Sequence, residues 1–534
     1  MMKTITKYSK SAVSITFIYF FLLSFLFRLP FFFEAVISGD ESTFILTGQS
    51  LLDGNLPYTE LWDLKPPLLP AAFALFIALF GKSIVSIRIA GATCVALTSW
   101  FTYLIGSTIK SHRAGLISGT LSTVSLSALD YDFFSTMSEH VAIVPLMGAV
   151  LILLQKRITS NHLFWSGILL ATAAMMRLNL AYVILAAGIF VALFLHKNKH
   201  SSISYIRTAL ARVGIYSLGV FLVIFLTLMP YVITGKTLVW WQSVVLAPLS
   251  YSDSRPAYQV FSRLISKISR IIFDWSIVPL HPPSDRTTIA ILVCLGALLG
   301  ILKIIVCWKN FSSCEKRNII IITLFFASTS FSILNGGKTH LHYLIQVMPF
   351  LSLYAAPIYE PVFAISRLRK TIPIVATLVV LILSGSLKKY EQNLHQGIAG
   401  ETLFTGPAYE VADYFRELDT TKKSIYMMNS HTHITYWLID KKPLTRSSTH
   451  PSNISKEYLL KYSIGQGATV ESALLEILEQ KPDFIVTQPD DIWYLKNYTY
   501  ARALLDDTLG KHYKLVKQIQ KIQIYQRDAS YSTK

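Results

Sequence analysis

The chain has 534 residues, 52% of them hydrophobic and 15% charged, with a mean hydropathy of +0.46. That is too apolar for a soluble enzyme of this length, and it implies a polytopic helical bundle in which each crossing needs roughly 20 apolar residues to span about 30 Å of hydrocarbon. The net charge of +18 does not point to nucleic acid, because many of the bases sit in short interruptions between apolar runs (KSHR, QKRITSNH, HKNKH, KNFSSCEKR, SRLRK) and form no patch interleaved with aromatics.

The N-terminal MMKTITKYSK precedes an apolar run at about 12–33. This has the charge layout of a signal sequence, but the run is long and no small-residue cleavage site follows, so a retained first span with a cytoplasmic N-terminus is expected. Next comes SGDESTFILTGQSLLDGNLPYTELWDLKPPLLP (38–70), with Asp40, Glu41, Asp53, Glu60, Asp63 and then Lys65 before two prolines. The apolar segment 66–81 is short. If it crossed, KSHR and QKRITSNH would both face outward, against the positive-inside rule, so it is expected to lie along the interface.

Further spans follow at about 84–109, 114–129, 138–154, 163–176, 179–195, 211–232, 287–307, 318–334, 340–359 and 371–387. With the first, these give about eleven crossings. The strongly basic short loops then fall inside. DYDFFSTMSEH, the RLN at 177–179, the long segment 233–286, NGGKTH and the tail fall outside. Within 257–277, Val260, Phe261, Leu264, Ile265, Ile268, Ile271, Ile272 and Trp275 recur at helical spacing opposite Arg263, Lys267 and Arg270, the pattern of a helix on a membrane surface or over a nearby site.

From about 388 the sequence becomes polar. Strand-like runs at 424–429, 483–488, 513–519 and 522–527 alternate with helical patterns, which indicates a small α/β domain. The expected organisation is a membrane domain over 1–387, with outer loops at 34–83 and 233–286, and an extracytoplasmic domain over 388–534. The four cysteines have neither disulfide nor metal spacing.

The chemistry gathers on the outer side. Asp40 and Glu41 stand just past the first span, where a carboxylate stays ionised without burial in hydrocarbon and can take a proton from an acceptor. Lys65, stiffened by Pro66 and Pro67, suits a lipid-linked phosphate, and Arg177 offers a planar fork for phosphate oxygens. Asp63, Glu139, His140, Lys338, His340 and His342 fall near the same face as pocket candidates. Glu139 and His140 are adjacent, and His340 and His342 are two apart. Neither pair has helical ligand spacing, so no metal or other cofactor is required, a divalent ion on Asp40 and Glu139 being the one arrangement left open.

GDE followed by LLDGNLPYTELWDLKPPLL resembles the first outer loop of GT-C membrane glycosyltransferases, in particular bacterial glycosyltransferase family 39 proteins related to protein O-mannosyltransferases and lipid A aminoarabinose transferases. FFSTMSEHVAIVPL, ATAAMMRLNLAYVIL and HLHYLIQVMPFLSL are similar to later family segments, and AYEVADYFREL, SIYMMN and LEQKPDFIVTQ to the attached outer domain. The resemblance implies a GT-C fold and Asp40 as the catalytic carboxylate, with Glu41 as its neighbour and Lys65 on the donor phosphate. One departure is that Leu64 precedes the lysine and Asp63 stands two before it, where the aminoarabinose transferases tend to carry a glutamate directly before the lysine.

The implied activity is inverting transfer from a polyprenyl-phosphate-linked sugar to a glycan, lipid or protein acceptor at the outer face of the inner (plasma) membrane. Membrane lipids are the surroundings and no nucleic acid is involved. The alternative is a transporter or flippase of lipid-linked sugars, although internal repeats and intramembrane charges, the marks of that class, are not evident in the sequence. A polymerase or ligase using a diphosphate-linked donor would share the basic residues without needing the Asp-Glu pair.

Overall fold

The computed structural model describes residues 10–194, 202–251, 285–335, 340–361, 385–489 and 492–528, with a few positions in 258–266 and 378–382. Lys338, most of the 257–277 amphipathic stretch and most of the 371–387 span lie outside the described residues. The chain divides into two compact units: Met1–Phe32, Arg88–Thr227 and Ser252–Gly400 form one, and Phe33–Ile87, Leu228–Tyr251 and Glu401–Lys534 the other.

The first unit is helical. Helices Lys10–Arg28, Ile84–Ile109, His112–Ala128, Ser138–Leu153, Ser160–Met176, Ala181–Phe194, Ser202–Ile233, Asp285–Cys307 and Ser313–Asn335 fall on nine of the expected spans. Among the described residues, five helices are long and apolar enough to cross a membrane, within Ser14–Phe31, Ile84–Ile109, Ile206–Ile233, Leu292–Asn310 and Ser313–Asn335. The 340–359 segment is instead broken: a 3₁₀ turn, Leu341–Gln346, leads into the shorter helix Met348–Tyr359, with Pro349 in that helix's first turn. A proline fits the first turn, where its missing N–H removes no helical bond.

Two features fix this packing. Helices Ser160–Met176 and Ser202–Ile233 cross at a reciprocal glycine pair, because a Cβ on Gly167 would strike the Tyr216 carbonyl and one on Gly219 the Phe164 carbonyl. Small residues at such crossings let helix backbones approach closely where lipid supplies no hydrophobic drive. The fully buried Arg28 donates to the carbonyls of Phe133, Phe134 and Ser135, and Arg88 donates to that of Phe134 at 3.3 Å. Backbone carbonyls are a common partner for a charge enclosed in a bundle, and here they pin the 3₁₀ turn Tyr131–Phe134 that precedes Glu139.

The second unit brings residues 33–87 and 228–251 together with the tail. Helix Gly39–Leu52 packs on helix Leu68–Phe80, where the missing Cβ of Gly48 admits Phe73. The 13 residues of Leu68–Phe80 reach only about 20 Å, too short to cross about 30 Å of hydrocarbon. The tail forms a four-stranded sheet in the order β1-β2-β4-β3, with β1 Ile425–Met427, β2 Phe484–Thr487, β3 Tyr513–Ile519 and β4 Ile522–Arg527. β1 and β2 are parallel, and the remaining pairs are antiparallel. The parallel pair requires a crossover, supplied in part by helix Val470–Leu478, whose buried Val470, Ala473, Leu474 and Ile477 enter the core with Tyr426 and Ile485.

Candidate functional site

Asp40 and Glu41 lie in the first turn of helix Gly39–Leu52. Carboxylates are favoured there because the unsatisfied N–H groups of a helix N-terminus carry partial positive charge. Gly39 is needed for space, since a Cβ at this position would come within 2.7 Å of Ser430 Cβ. The two acids differ in setting: Asp40 keeps 36% of its side chain exposed, whereas Glu41 is buried.

The loop after this helix is folded tightly on itself. Tyr58 adopts a left-handed backbone, φ 70°, rare for a bulky residue and a sign of local strain. Its hydroxyl donates to the Lys65 carbonyl at 2.7 Å, and its own carbonyl accepts from the Arg446 guanidinium at 2.8 Å. Tyr231 donates to the Pro57 carbonyl at 3.1 Å. The buried Trp62 is held on three sides: its backbone N–H donates to Thr449 Oγ1 (2.9 Å), its indole N–H donates to Ser243 Oγ (3.0 Å), and its carbonyl accepts from Asn453 (3.4 Å). The middle of the 53–67 loop, at Tyr58 and Trp62, is thereby tied to the tail segment 446–453.

That segment brings residues the sequence did not single out. His450 Nε2 lies 3.5 Å from Asp40 Oδ1. Lys456 is close enough to act electrostatically on both Asp63 and His450, as is Lys65. Burial raises the Asp63 carboxyl above its ordinary range, with Lys65 and Lys456 drawing it back and Asp40 pushing it further up. Burial, reinforced by Lys456, pushes His450 down to about 3, and burial pushes His433 down to about 4. Both imidazoles are therefore neutral at physiological pH. Lys65 Nζ stands 5.5 Å from the centre of the Phe44 ring. Tyr58, Asp63 and Lys65 border one small cavity of about 10 Å³. Asp40, Glu41, Asp63 and Lys65 all belong to this unit.

The other candidates lie in the helical unit. Arg177 ends helix Ser160–Met176, and its guanidinium pairs with Glu139 Oε1 at 2.8 Å, donates to Ser138 Oγ at 2.9 Å and stacks 4.5 Å from the Tyr343 ring centre. Ser138 in turn donates to Glu139 Oε2 at 2.9 Å. His342 stands between two carboxylates, 3.8 Å from Glu139 and 3.7 Å from Asp132. His140 has both ring nitrogens engaged, Nε2 donating to the Leu126 carbonyl at 2.9 Å and Nδ1 accepting the Met137 N–H at 3.4 Å. His340 is exposed, with its ring stacked 5.3 Å from that of His342. Among the described residues, no group of three or more His, Cys, Asp or Glu side chains is arranged to hold a metal.

The family model described as dolichyl-phosphate-mannose-protein mannosyltransferase matches residues 64–236. That stretch contains Lys65, Glu139, His140 and Arg177 and starts after Asp40. The archaeal oligosaccharyltransferase AglB from Archaeoglobus fulgidus, solved with an inhibitory peptide and a dolichol-phosphate, superposes with a TM-score of 0.50 at 11% identity, over 98% of this chain and 75% of that one. The two share the GT-C fold. ArnT from Cupriavidus metallidurans, in the apo state, is similar at a TM-score of 0.46 and 12% identity, over 97% of this chain and 98% of that one. No curated protein sequence matches the chain. At these identities the likeness is one of fold, and it agrees with the resemblance carried by the sequence motifs.

Proposed function

We propose that this protein is an inverting membrane glycosyltransferase that moves a sugar from a polyprenyl-phosphate donor to an acceptor glycan, lipid or protein on the outer face of the cytoplasmic membrane. The acceptor oxygen or nitrogen forms a bond to the anomeric carbon, the carbon–oxygen bond to the lipid phosphate breaks, and the phosphate leaves with the electron pair. Asp40 takes the acceptor proton. Lys65, with Lys456 nearby, offsets the charge that grows on the phosphate; cationic stabilisation of this kind matters most where water is excluded. No metal or other cofactor enters this mechanism.

The observation that carries the proposal is the setting of Asp40: a partly exposed carboxylate at a helix start, in the same compact unit as Lys65 and Lys456. Arg177 is already engaged by Glu139 and Ser138, so in this account it holds the Glu139–His342 cluster together and leaves phosphate binding to the lysines. The test is to incubate the purified protein in lipid nanodiscs or vesicles with a labelled polyprenyl-phosphate sugar and candidate glycolipid, polysaccharide and protein acceptors. Label on an acceptor supports the transferase. Transbilayer movement of the donor without any labelled product would establish the flippase alternative instead.

A further inference from the structure

The tail residue His450 faces the carboxylate proposed as the base, and its own hydrogen bonds fix where its proton sits. The backbone N–H of Ser452 points at His450 Nδ1 at 3.1 Å, and the Ser452 hydroxyl lies 2.9 Å from the same nitrogen. An amide N–H can only donate, so Nδ1 is an acceptor and carries no hydrogen. The single proton of the neutral ring must be on Nε2, the nitrogen 3.5 Å from Asp40 Oδ1. We infer that His450 is a positioning residue for transfer: a neutral imidazole, locked in one tautomer by Ser452, presents Nε2–H to the Asp40 carboxylate and orients it toward the acceptor.

The separation is longer than a formed charge-assisted hydrogen bond, and catalytic contacts of this kind commonly tighten when substrate is bound. The ring's support is rigid. His450 caps the 3₁₀ turn Pro451–Ser455, and the preceding Thr449 is held through its carbonyl by His433 Nε2 at 2.7 Å and through its hydroxyl by the Trp62 N–H. The charged and titratable groups around the pair are Asp40 and Glu41 on helix Gly39–Leu52, Asp63 and Lys65 on the loop, His433, and Lys456. The two lysines and burial disfavour a charged imidazole, so the ring stays a neutral donor. A neutral donor orients the carboxylate without cancelling its charge, which a base requires.

This inference rests on Asp40 being the base, and the experiment separates the two. Transfer rates are measured across pH for wild type, Asp40→Asn, His450→Phe, His450→Asn and His450→Gln in the full-length protein, with thermal unfolding of each variant. The glutamine amide reaches the place of Nε2, and the asparagine amide stops short of it. His450→Phe and His450→Asn are expected to lose about tenfold or more in kcat with donor KM nearly unchanged. The acid limb of their rate profile moves to higher pH by about half a unit or more, because the carboxylate has lost a donor that favours its ionised form. His450→Gln restores both the limb and most of the rate. Should His450→Phe unfold, the Asn and Gln pair carries the comparison. Wild-type profiles in the stable His450 variants, or equal impairment by Asn and Gln, overturn the positioning role. Full activity in Asp40→Asn overturns the assignment of the base itself.

Discussion

Breaking the Arg177–Glu139 pair is the most informative structural perturbation. Glu139 is fully enclosed, Arg177 is 7% exposed, and the pair is closed by a 2.8 Å contact with Ser138 bridging the two. Removing one member takes from the other its nearest buried counter-charge, which costs about 3–5 kcal/mol, whereas replacing both with apolar side chains of similar volume is often close to neutral. Glu139→Leu and Arg177→Met should each lower the unfolding temperature in detergent by several degrees. The double variant should recover most of that loss, a coupling of the kind that residues in contact or in one ion-pair network show. Donor affinity supplies the second readout, by fluorescence titration with a polyprenyl-phosphate sugar. If Arg177 is scaffolding, the stable double variant binds donor about as well as wild type. Additive destabilisation would refute the buried-pair reasoning, and a stable double variant that no longer binds donor would return Arg177 to the phosphate.

Three further outcomes are expected. His433 and His450 are depressed to about 4 and about 3 from an ordinary 6.5, so the unfolded chain takes up protons that the folded unit refuses. Their contribution is complete above pH 6.5 and is lost as pH falls toward 4, by up to about 1.4 kcal/mol per pH unit for each ring; unfolding temperature against pH should be flatter in a His433→Gln variant, and an unchanged slope would contradict the burial of that ring. Asp63 is raised, so its ionised form costs stability once pH exceeds the raised value. Asp63→Asn should therefore stabilise the protein at neutral pH, with the gain vanishing below the ordinary carboxylate range. Gly39→Val must push into Ser430, 2.7 Å from the new Cβ, and overpacking of this kind costs about 1–3 kcal/mol. Thermal unfolding of that variant at wild-type temperature would mean the helix start shifts freely.

Hydropathy made much of the helical frame legible because a crossing helix needs a long apolar run, and helix Ile84–Ile109 begins and ends where the composition places it. The tail strands at 425–427, 484–487, 513–519 and 522–527 were equally readable, being short β-branched and aromatic runs between turn residues. Composition did not mark the break at Val347, because both halves of 340–359 are apolar and the interruption comes from a 3₁₀ turn before Pro349. Asp40, Lys65 and Arg177 were visible as charges at the edges of apolar segments.

Their partners were less visible. Glu139 was a foreseeable mate for Arg177, since both stand at the ends of apolar segments, but the segment TRSSTHPSNISK (445–456) reads as an ordinary polar loop. Nothing in its local pattern says that His450 will meet Asp40 or that Thr449 will receive the Trp62 N–H, because such pairings depend on how segments about 400 residues apart are brought together. The one available signal was a histidine followed by proline and serine, a combination that builds tight side-chain-to-backbone turns.

The most direct test of the mechanism separates donor capture from chemistry at the two proposed groups. Equilibrium binding of a labelled polyprenyl-phosphate sugar, measured beside single-turnover transfer, should show Asp40→Asn holding the donor with near wild-type affinity while transfer falls by about 10² or more. Lys65→Met should weaken donor binding itself. The reverse pattern, donor lost with Asp40→Asn and untouched by Lys65→Met, would contradict the assignment of base and phosphate contact.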